Sequence, residues 1–318
     1  MEVVIFSINT DASTSDVMDW IHHLGIETIR INGIMVERFT LHLRNENYYV
    51  VFNNKVLPKK DIRSTWIRKK QGGRAIQLPI GENKGLNYEV NAHIKNEFDK
   101  TYYGFTSYFK DTKMLGTLNG DSNKLYGIQT AAECGLNIPE TIVTNTKKKL
   151  LYFFFQHPEI ICKSISNGAF FSIEPFSWSM YTTKLTKDVI EKLPDTFFPC
   201  LAQEYIEKEY EIRTFYLDGS CYSMAIFSQA DKQTATDFRK YNREKPNRTV
   251  PYKLPKEIEI KIDEFMKSTK LNTGSLDIIK SKDGRYVFLE VNPSGQFGMV
   301  SYPCNYYLER EISKWLCN

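Results

Sequence analysis

Two acidic residues and an asparagine lie on two apolar segments in the last third of the chain. Asp277 is in the first segment, Glu290 and Asn292 alternate along the second, and Asp283-Gly284 stands between the segments. An Asp-Gly pair favours a hairpin, and side chains alternate across a strand, so we expect the three side chains on one face. Carboxylate and amide oxygens suit Mg²⁺, which completes its shell with water and phosphates. The alternative is a solvent-facing strand with incidental acidic residues, although uncompensated carboxylates are costly in so apolar a hairpin.

Two lysines occur in settings that favour phosphate binding. Lys124 is in the first turn of a predicted helix, and Lys163 ends the apolar run Ile160-Ile161-Cys162. A lysine in a buried strand must pair with an anion or extend outwards, and phosphate is a suitable anion for its compact charge. The turn at residues 166–168 contains a glycine and favours a loop over phosphates. Taken alone, each lysine fits an ordinary surface position better than a phosphate site.

A short segment before the first predicted hairpin has the features of a nucleotide-binding edge. Its backbone N–H and C=O groups can bond an adenine ring, Glu211 can hold ribose hydroxyls, and Arg213 can face phosphates or an acyl phosphate. The alternative is an edge strand with alternating polar residues. The residues of the proposed adenine segment are Gln203, Glu204, Tyr205 and Ile206.

A polar, basic linker separates the two predicted hairpins and contains Asp237 and Arg239. Arg239 is a candidate for binding an acidic substrate side chain, and Asp237 for orienting or deprotonating a nucleophile. A solvated loop is the alternative reading. The phosphate-binding motifs G-x-x-x-x-G-K-[ST] and G-x-G-x-x-G are absent from the sequence, so a nucleotide would have to be bound in another way.

Composition excludes several classes of protein. The net charge is +4 over 318 residues and the basic residues are dispersed, which disfavours a nucleic-acid partner. The six cysteines form no C-x-x-C pair, and this disfavours a zinc site or a disulfide framework. No stretch reaches the roughly 18–20 apolar residues that span a bilayer. These features predict a cytoplasmic protein without a membrane partner.

The order of predicted elements indicates an α/β (α+β) protein. A strand, a helix and several short strands occupy roughly the first hundred residues, and a new helix begins near Asp121. Strands at 141–144 and 160–164 and a helix near 150–155 follow. The last third contains two hairpins, whose turns are Asp218-Gly219 and Asp283-Gly284, and two helices.

The ordered set of these residues resembles the ATP-grasp superfamily across nearly the whole chain. Asn123-Lys124, Gly135-Leu136 and Ile138–Thr141 look like the start of its central lobe, and the nucleotide and metal candidates follow in the superfamily's order. The resemblance implies the ATP-grasp fold with ATP and Mg²⁺ as cofactors. It implies a preATP-grasp domain at 1–118, a central lobe at 119–200 and a C-terminal lobe at 201–318.

Within that superfamily the sequence is similar to the maturases of graspetides, which are ω-ester-containing peptides, and is most similar to their grasp-with-SPASM type. The segments that carry this likeness are Phe6–Trp20, Ser64–Arg68, Thr234–Arg239 and Tyr241–Arg248. The resemblance implies that Glu or Asp side chains of a ribosomal precursor peptide are joined to Thr or Ser hydroxyls, or to Lys amines. It also implies a docked leader peptide and a homodimer.

Two other functions remain open from the sequence. One is an ATP-grasp ligase that adds free amino acids to a carboxylate of a protein or small molecule. The other is a nucleotide-binding regulatory module without catalysis. The presence of both lysines and the whole candidate metal set disfavours the second function.

Overall fold

The structure is a computed structural model in which the chain forms two compact units. Residues 1–120, 296–301 and 307–318 form the first unit, and residues 121–295 and 302–306 form the second. The predicted boundaries assign residues 307–318 to the C-terminal lobe, whereas in the structure they pack within the first unit. The division into three lobes stays a prediction. The described residues are 1–33, 38–43, 48–69, 84–118, 123–166, 168, 170–173, 175–230, 244 and 246–318.

In the part of the chain that the structure describes, a four-stranded parallel sheet and a three-stranded antiparallel sheet organise the first unit, and helices pack with them. The parallel order is β2-β1-β6-β7, with β1 at Glu2–Phe6, β2 at Thr28–Ile31, β6 at Ile62–Ile67 and β7 at Lys113–Leu115. The antiparallel strands are β3 (Phe39–His42), β4 (Tyr49–Phe52) and β5 (Lys55–Leu57). The helices are α1 (Ala12–His23), α2 (Lys84–Ser107) and α8 (Leu308–Cys317).

Side-chain alternation along β1 gives the first unit apolar faces on both sides of its sheet. Val4 and Phe6 pack into a cluster with α2 and the antiparallel strands, and Phe6 makes edge contacts with Phe105 and Phe109. Val3 and Ile5 point the other way and are also fully buried. A strand buried on both faces reads as a continuous apolar run, which is how β1 appears in the sequence.

The C-terminal helix α8 is fastened to β6 by hydrogen bonds to its last carbonyls. Ser64 donates to the Leu316 carbonyl over 2.7 Å, and Arg63 donates to the Cys317 carbonyl over 2.6 Å. The last carbonyls of a helix lack partners within the helix, so these donors satisfy groups that would otherwise be costly to bury. The helix is therefore an integral part of the first unit.

A buried carboxylate stands where β1 leads into α1. Asp11 accepts hydrogen bonds from Thr14 at 2.6 Å and from the Arg68 Nε at 3.1 Å, and it pairs with the Lys69 Nζ at 3.0 Å. Burial opposes its ionisation, but Arg68, Thr14 and Lys69 outweigh burial and lower the pKa of Asp11 below 3.8. The ionised form is therefore the form that the folded state stabilises.

Replacing this carboxylate should destabilise the first unit in a pH-dependent way. Because the folded pKa is lowered, Asp11 contributes stability above its unfolded pKa and loses it as the pH falls through the folded value. Asp11→Asn removes the charged carboxylate that Arg68, Lys69 and Thr14 contact, and it should lower the unfolding free energy by about 3–5 kcal/mol at neutral pH. Urea unfolding measures this, and the difference from wild type should shrink as the pH falls through the lowered pKa of Asp11. Asp19→Asn, an exposed change on the helix α1 that follows Asp11, is the control, and an equal loss in both variants would contradict the prediction.

Two antiparallel sheets and a hairpin make up the strands of the second unit. The first sheet has the order β12-β9-β13-β8 and the second has the order β16-β15-β14-β17-β18. The strands of the first sheet and the hairpin are β8 (Thr141–Thr146), β9 (Ile160–Lys163), β10 (Phe170–Ile173), β11 (Phe176–Ser179), β12 (Thr183–Leu185) and β13 (Thr196–Glu204). Those of the second sheet are β14 (Lys208–Leu217), β15 (Ser220–Phe227), β16 (Arg248–Tyr252), β17 (Thr273–Ser281) and β18 (Tyr286–Asn292).

Helices cover one face of each sheet in the second unit. They are α3 (Lys124–Glu133), α4 (Lys147–Gln156), α5 (Lys187–Glu191) and α6 (Lys256–Ser268). Helix α7 (Gly298–Cys304) follows the last strand and has residues in both units. The predicted start of α3 at Asp121 lies outside the described residues. Within them, Asn123 caps the helix by accepting from the backbone N–H of Leu125 and Tyr126.

Both predicted hairpins are present, and the mixed α/β class is confirmed. At the first turn, Asp218 and Gly219 have positive φ values of 40° and 95°. Consecutive positive φ angles suit a tight turn whose twist matches the flanking strands. The hairpins thereby fix the register that brings the candidate site residues together.

Candidate active site

The five-stranded sheet has one apolar face and one charged face. Ile212, Leu276 and Ile278 belong to a core cluster with residues of α6. The alternate residues point to the opposite face. In the strand register, Arg213 of β14 lies opposite Asp277 of β17, and Asp277 lies opposite Glu290 of β18. The register therefore places a cation and two carboxylates side by side on a single surface, as alternation along the hairpin predicts.

A series of ion pairs runs across this charged face. The Arg213 guanidinium donates to Asp277 Oδ1 at 2.5 Å, and the Lys124 Nζ lies 3.1 Å from Glu290 Oε2. The four side chains are between 10% and 29% exposed, so they are shielded but reachable from one side. In a partly buried setting such pairs interact more strongly than at an open surface.

Asn292 continues this face at the end of β18, next to the ion pairs. It lies opposite Ser275, is exposed, and its side-chain oxygen accepts from the Ser294 backbone N–H at 3.1 Å. A Cβ atom at Gly295 would overlap Ser275, so only glycine lets the following turn pack so closely. The three candidate metal ligands therefore share one face, and their backbone is held in place.

The donor set fits a magnesium ion that is shared with phosphates. It supplies two carboxylates and one amide oxygen, and the described ranges contain no group of three or more His, Cys, Asp or Glu side chains arranged for a metal. Mg²⁺ in nucleotide sites needs only one or two protein carboxylates. The Ser275 hydroxyl and the Arg213 Nε are buried without a protein hydrogen-bond partner, which fits a polar ligand at this face.

The two candidate phosphate lysines approach the site from the first sheet of the second unit and its neighbouring helix. Lys124 also donates to the Ser164 carbonyl at 3.0 Å, which links the start of α3 to the chain just after β9. Lys163 ends β9 and lies opposite Leu201, on the face turned away from the cluster that contains Ile160 and Ala202. One lysine therefore contacts a candidate metal ligand directly, and the other lies next to the segment that Lys124 holds.

The predicted adenine segment uses some of its polar groups within the protein. The Gln203 side chain is buried and donates to Thr141 Oγ1 at 2.8 Å, and the Glu204 carboxylate accepts from the Glu140 N–H at 2.9 Å. The backbone N–H groups of Glu204 and Tyr205 donate to the carbonyls of Glu140 and Glu159. An adenine ring would have to bind the remaining backbone groups of this segment.

The last two residues of that segment have different surroundings. The Lys184 Nζ lies 3.7 Å from the centre of the Tyr205 ring, and Ile206 is buried beside Ile279 and Val287. Ile206 thus packs against the strand that carries Asp277. A separate pocket of about 440 Å³ includes Glu204 but no other predicted site residue, so it is distinct from the charged face. Its lining residues are Leu125, Ile128, Gln129, Ile138, Pro139, Glu140, Thr141 and Glu204.

Glu211, the candidate ribose ligand, is buried in an ion pair with a lysine that the sequence reasoning missed. It accepts from the Lys208 Nζ and from Ser228 Oγ, the latter at 3.1 Å. Burial raises the pKa of Glu211 above its ordinary value, and Lys208 pulls it in the opposite direction. A shift in the β14–β17 register between Lys208 and Tyr210 places Lys208 on the same face as Glu211, against simple alternation.

Two predicted catalytic residues, Asp237 and Arg239, lie outside the described residues. Their roles stay predictions from the sequence. The charged face that the structure does describe consists of Lys208, Glu211, Arg213, Asp277, Glu290, Asn292 and Lys124.

Comparison with solved structures shows likeness over the full chain. A RiPP-associated ATP-grasp ligase from Chryseobacterium gregarium, in complex with ADP and a leader and core peptide, is 25% identical with a TM-score of 0.82, covering 100% of this chain and 96% of that one. The macrocyclase MdnC from Microcystis aeruginosa MRC, bound to precursor peptide MdnA, is 26% identical with a TM-score of 0.78 and full coverage of both chains. The ligase PsnB with minimal precursor, Mg and ADP shares the fold at 16% identity and a TM-score of 0.77, covering 99% and 96%.

No protein-family model and no curated protein sequence matches the chain. The chain is similar over its full length to solved ATP-grasp ligases, and the predicted ATP-grasp fold is confirmed. Within that class, the likeness is to RiPP-associated ligases and macrocyclases. No helix in the described part of the chain is long and apolar enough to cross a membrane.

Proposed function

We propose that the protein is an ATP-dependent macrocyclase of a ribosomal precursor peptide. It activates Glu or Asp side chains as acyl phosphates and joins them to Thr or Ser hydroxyls as esters, or to Lys amines as amides. The observation that carries this proposal is the series of ion pairs from Arg213 through Asp277 and Glu290 to Lys124 on one shielded face. The full-length likeness to two enzymes whose structures were solved in complex with peptides supports a precursor peptide as the substrate.

The nucleotide would be bound within the second unit. Lys124 and Lys163 would bind phosphate oxygens, and the backbone of residues 203–206 and the Glu211 carboxylate would bind adenine and ribose. Asp277, Glu290 and Asn292 would hold Mg²⁺, which when bound supplies positive charge to the phosphates during transfer. A peptide carboxylate oxygen attacks the γ-phosphorus, the bond to the β-phosphate oxygen breaks, and ADP leaves.

Acyl transfer follows on the same face. The hydroxyl or amine of the peptide attacks the acyl carbon, its proton is lost, and inorganic phosphate leaves. Arg213 would stabilise the negative charge that develops on the acyl group, because its planar fork matches an oxyanion. Arg239 would bind an acidic side chain of the substrate, and Asp237 would orient or deprotonate the nucleophile.

Several finer assignments rest on the sequence alone. The segments Phe6–Trp20, Ser64–Arg68, Thr234–Arg239 and Tyr241–Arg248 support the grasp-with-SPASM type. We also infer a homodimer, a docked leader peptide, a cytoplasmic location and a division into three lobes. Size determination in solution tests the dimer independently of activity.

Mass spectrometry tests the proposed reaction. Incubation with ATP, Mg²⁺ and a candidate acidic precursor peptide should remove the mass of one water per bond and yield equal amounts of ADP and phosphate. Addition of amino-acid masses would instead indicate a ligase for free amino acids. Nucleotide binding without turnover in the presence of such peptides would indicate a regulatory module.

A further inference from the structure

A buried cluster that includes part of the charged face contains one anion and two donors. Lys208 and Glu211 are 5% and 7% exposed, and Ser228 is fully buried. The cluster links the start of β14, where Lys208 lies, to Ser228, which follows the end of β15. An isolated carboxylate at this depth would be costly, so a cation and a hydroxyl donor are needed to hold it ionised.

Both donors converge on the same oxygen of Glu211. The Lys208 Nζ and the Ser228 Oγ each bond to Oε1. Among the described residues, none donates a hydrogen bond to Oε2. An ionised carboxylate can accept hydrogen bonds through both oxygens. The donors at Oε1 therefore fix the orientation of the Glu211 carboxylate and leave Oε2 as an acceptor.

The position of Glu211 along the chain indicates what Oε2 faces. Glu211 lies between the predicted adenine segment, which ends at Ile206, and Arg213, which borders the candidate metal ligands. In a nucleotide the ribose lies between the base and the phosphates. Glu211 and Arg213 are two residues apart on one strand face, so both could contact neighbouring parts of a ligand bound there.

We propose that Lys208 and Ser228 are positioning residues that orient Glu211 toward the ribose hydroxyls and set a preference for ribonucleotides. This inference rests on the proposed nucleotide site. Lys208 neutralises the buried carboxylate, and Ser228 fixes the plane in which Oε2 is presented. Neither residue contacts the reacting atoms.

Binding of two nucleotides without peptide tests this role. Isothermal titration calorimetry with Mg²⁺ would compare ADP with 2′,3′-dideoxy-ADP, which lacks both ribose hydroxyls. The wild-type protein should prefer ADP by roughly 10- to 100-fold, the range expected for hydrogen bonds to a charged group. In Lys208→Met the preference should fall below about 3-fold, through weaker binding of ADP with little change for the dideoxy nucleotide. Ser228→Ala should lower the preference to an intermediate value.

Lys282→Met is the matched control, because Lys282 forms an exposed pair with Glu207 at 3.0 Å in the same unit. It should keep the wild-type preference. If Lys208→Met fails to fold in thermal unfolding, Ser228→Ala decides alone, since it retains both charges. A wild-type preference in the folded variants would overturn the inference, as would equal wild-type affinity for both nucleotides, while the ligase assignment would stand. Absence of any nucleotide binding would overturn the ligase assignment itself.

Discussion

Replacing Glu290 with alanine should abolish ATP-dependent ligation while the fold survives. Glu290 lies opposite Asp277 and pairs with Lys124 at 3.1 Å, so it is the central carboxylate of the candidate metal set. Losing a ligand of a metal that supplies several kcal/mol of charge stabilisation should lower kcat by roughly 10³-fold or more. ADP release in the presence of an acidic precursor peptide measures this rate.

The control for this change removes a carboxylate that also pairs with a lysine but lies at the exposed surface, away from the candidate metal set. Glu207→Ala breaks the exposed pair with Lys282 and should leave kcat within about 2-fold of wild type, since exposed pairs contribute little. Circular dichroism and thermal unfolding would establish that Glu290→Ala is folded. Wild-type turnover in a folded Glu290→Ala protein would remove the metal assignment.

Replacing Arg213 with methionine should slow the reaction by about 10²- to 10³-fold, with a smaller loss of nucleotide affinity. Arg213 is buried and donates to Asp277 at 2.5 Å, so it holds a candidate metal ligand. In the proposed reaction its planar fork would stabilise a developing oxyanion. Arg213→Lys keeps the charge but loses the planar fork, and it should recover only part of the rate. Single-turnover ligation separates this effect from nucleotide binding.

Arg285→Met removes a comparable cation from an exposed pair with Asp283 and is the matched control. It should leave the single-turnover rate unchanged. If Arg213→Met lowers nucleotide affinity as strongly as it lowers the rate, Arg213 is a nucleotide-binding residue without a specific role in acyl transfer.

The charged face was predictable because local rules determine it. Asp283-Gly284 identifies the hairpin, and period-2 alternation then places Glu290 and Asn292 on one face with Asp277 opposite. A one-residue slip would turn all three into the apolar core. The Arg213–Asp277 contact joins residues 64 positions apart, so it depended on how β14 and β17 pair and not on a local pattern.

Other features could not be predicted from the sequence, because they depend on an irregularity in a strand or on a residue that is distant along the chain. A bulge near the start of β14 puts Lys208 beside Glu211, whereas alternation would have separated them. Strand β16 contains Pro251, which argues against a strand, but β16 is an edge strand where a missing N–H is tolerated. The amphipathic pattern of α8 predicted one buried face without showing that its partners are α1 and β6.

The attachment of α8 to β6 has a consequence for how the polypeptide matures. Ser64 and Arg63 emerge from the ribosome early, but their acceptors at Leu316 and Cys317 are made some 250 residues later. Residues 121–295, by contrast, are contiguous and supply nearly all of the second unit. Translation proceeds at roughly 5–20 residues per second, so α8 is synthesised many seconds after the strands of the first unit. The first unit therefore cannot be completed until all strands of the second unit have been synthesised.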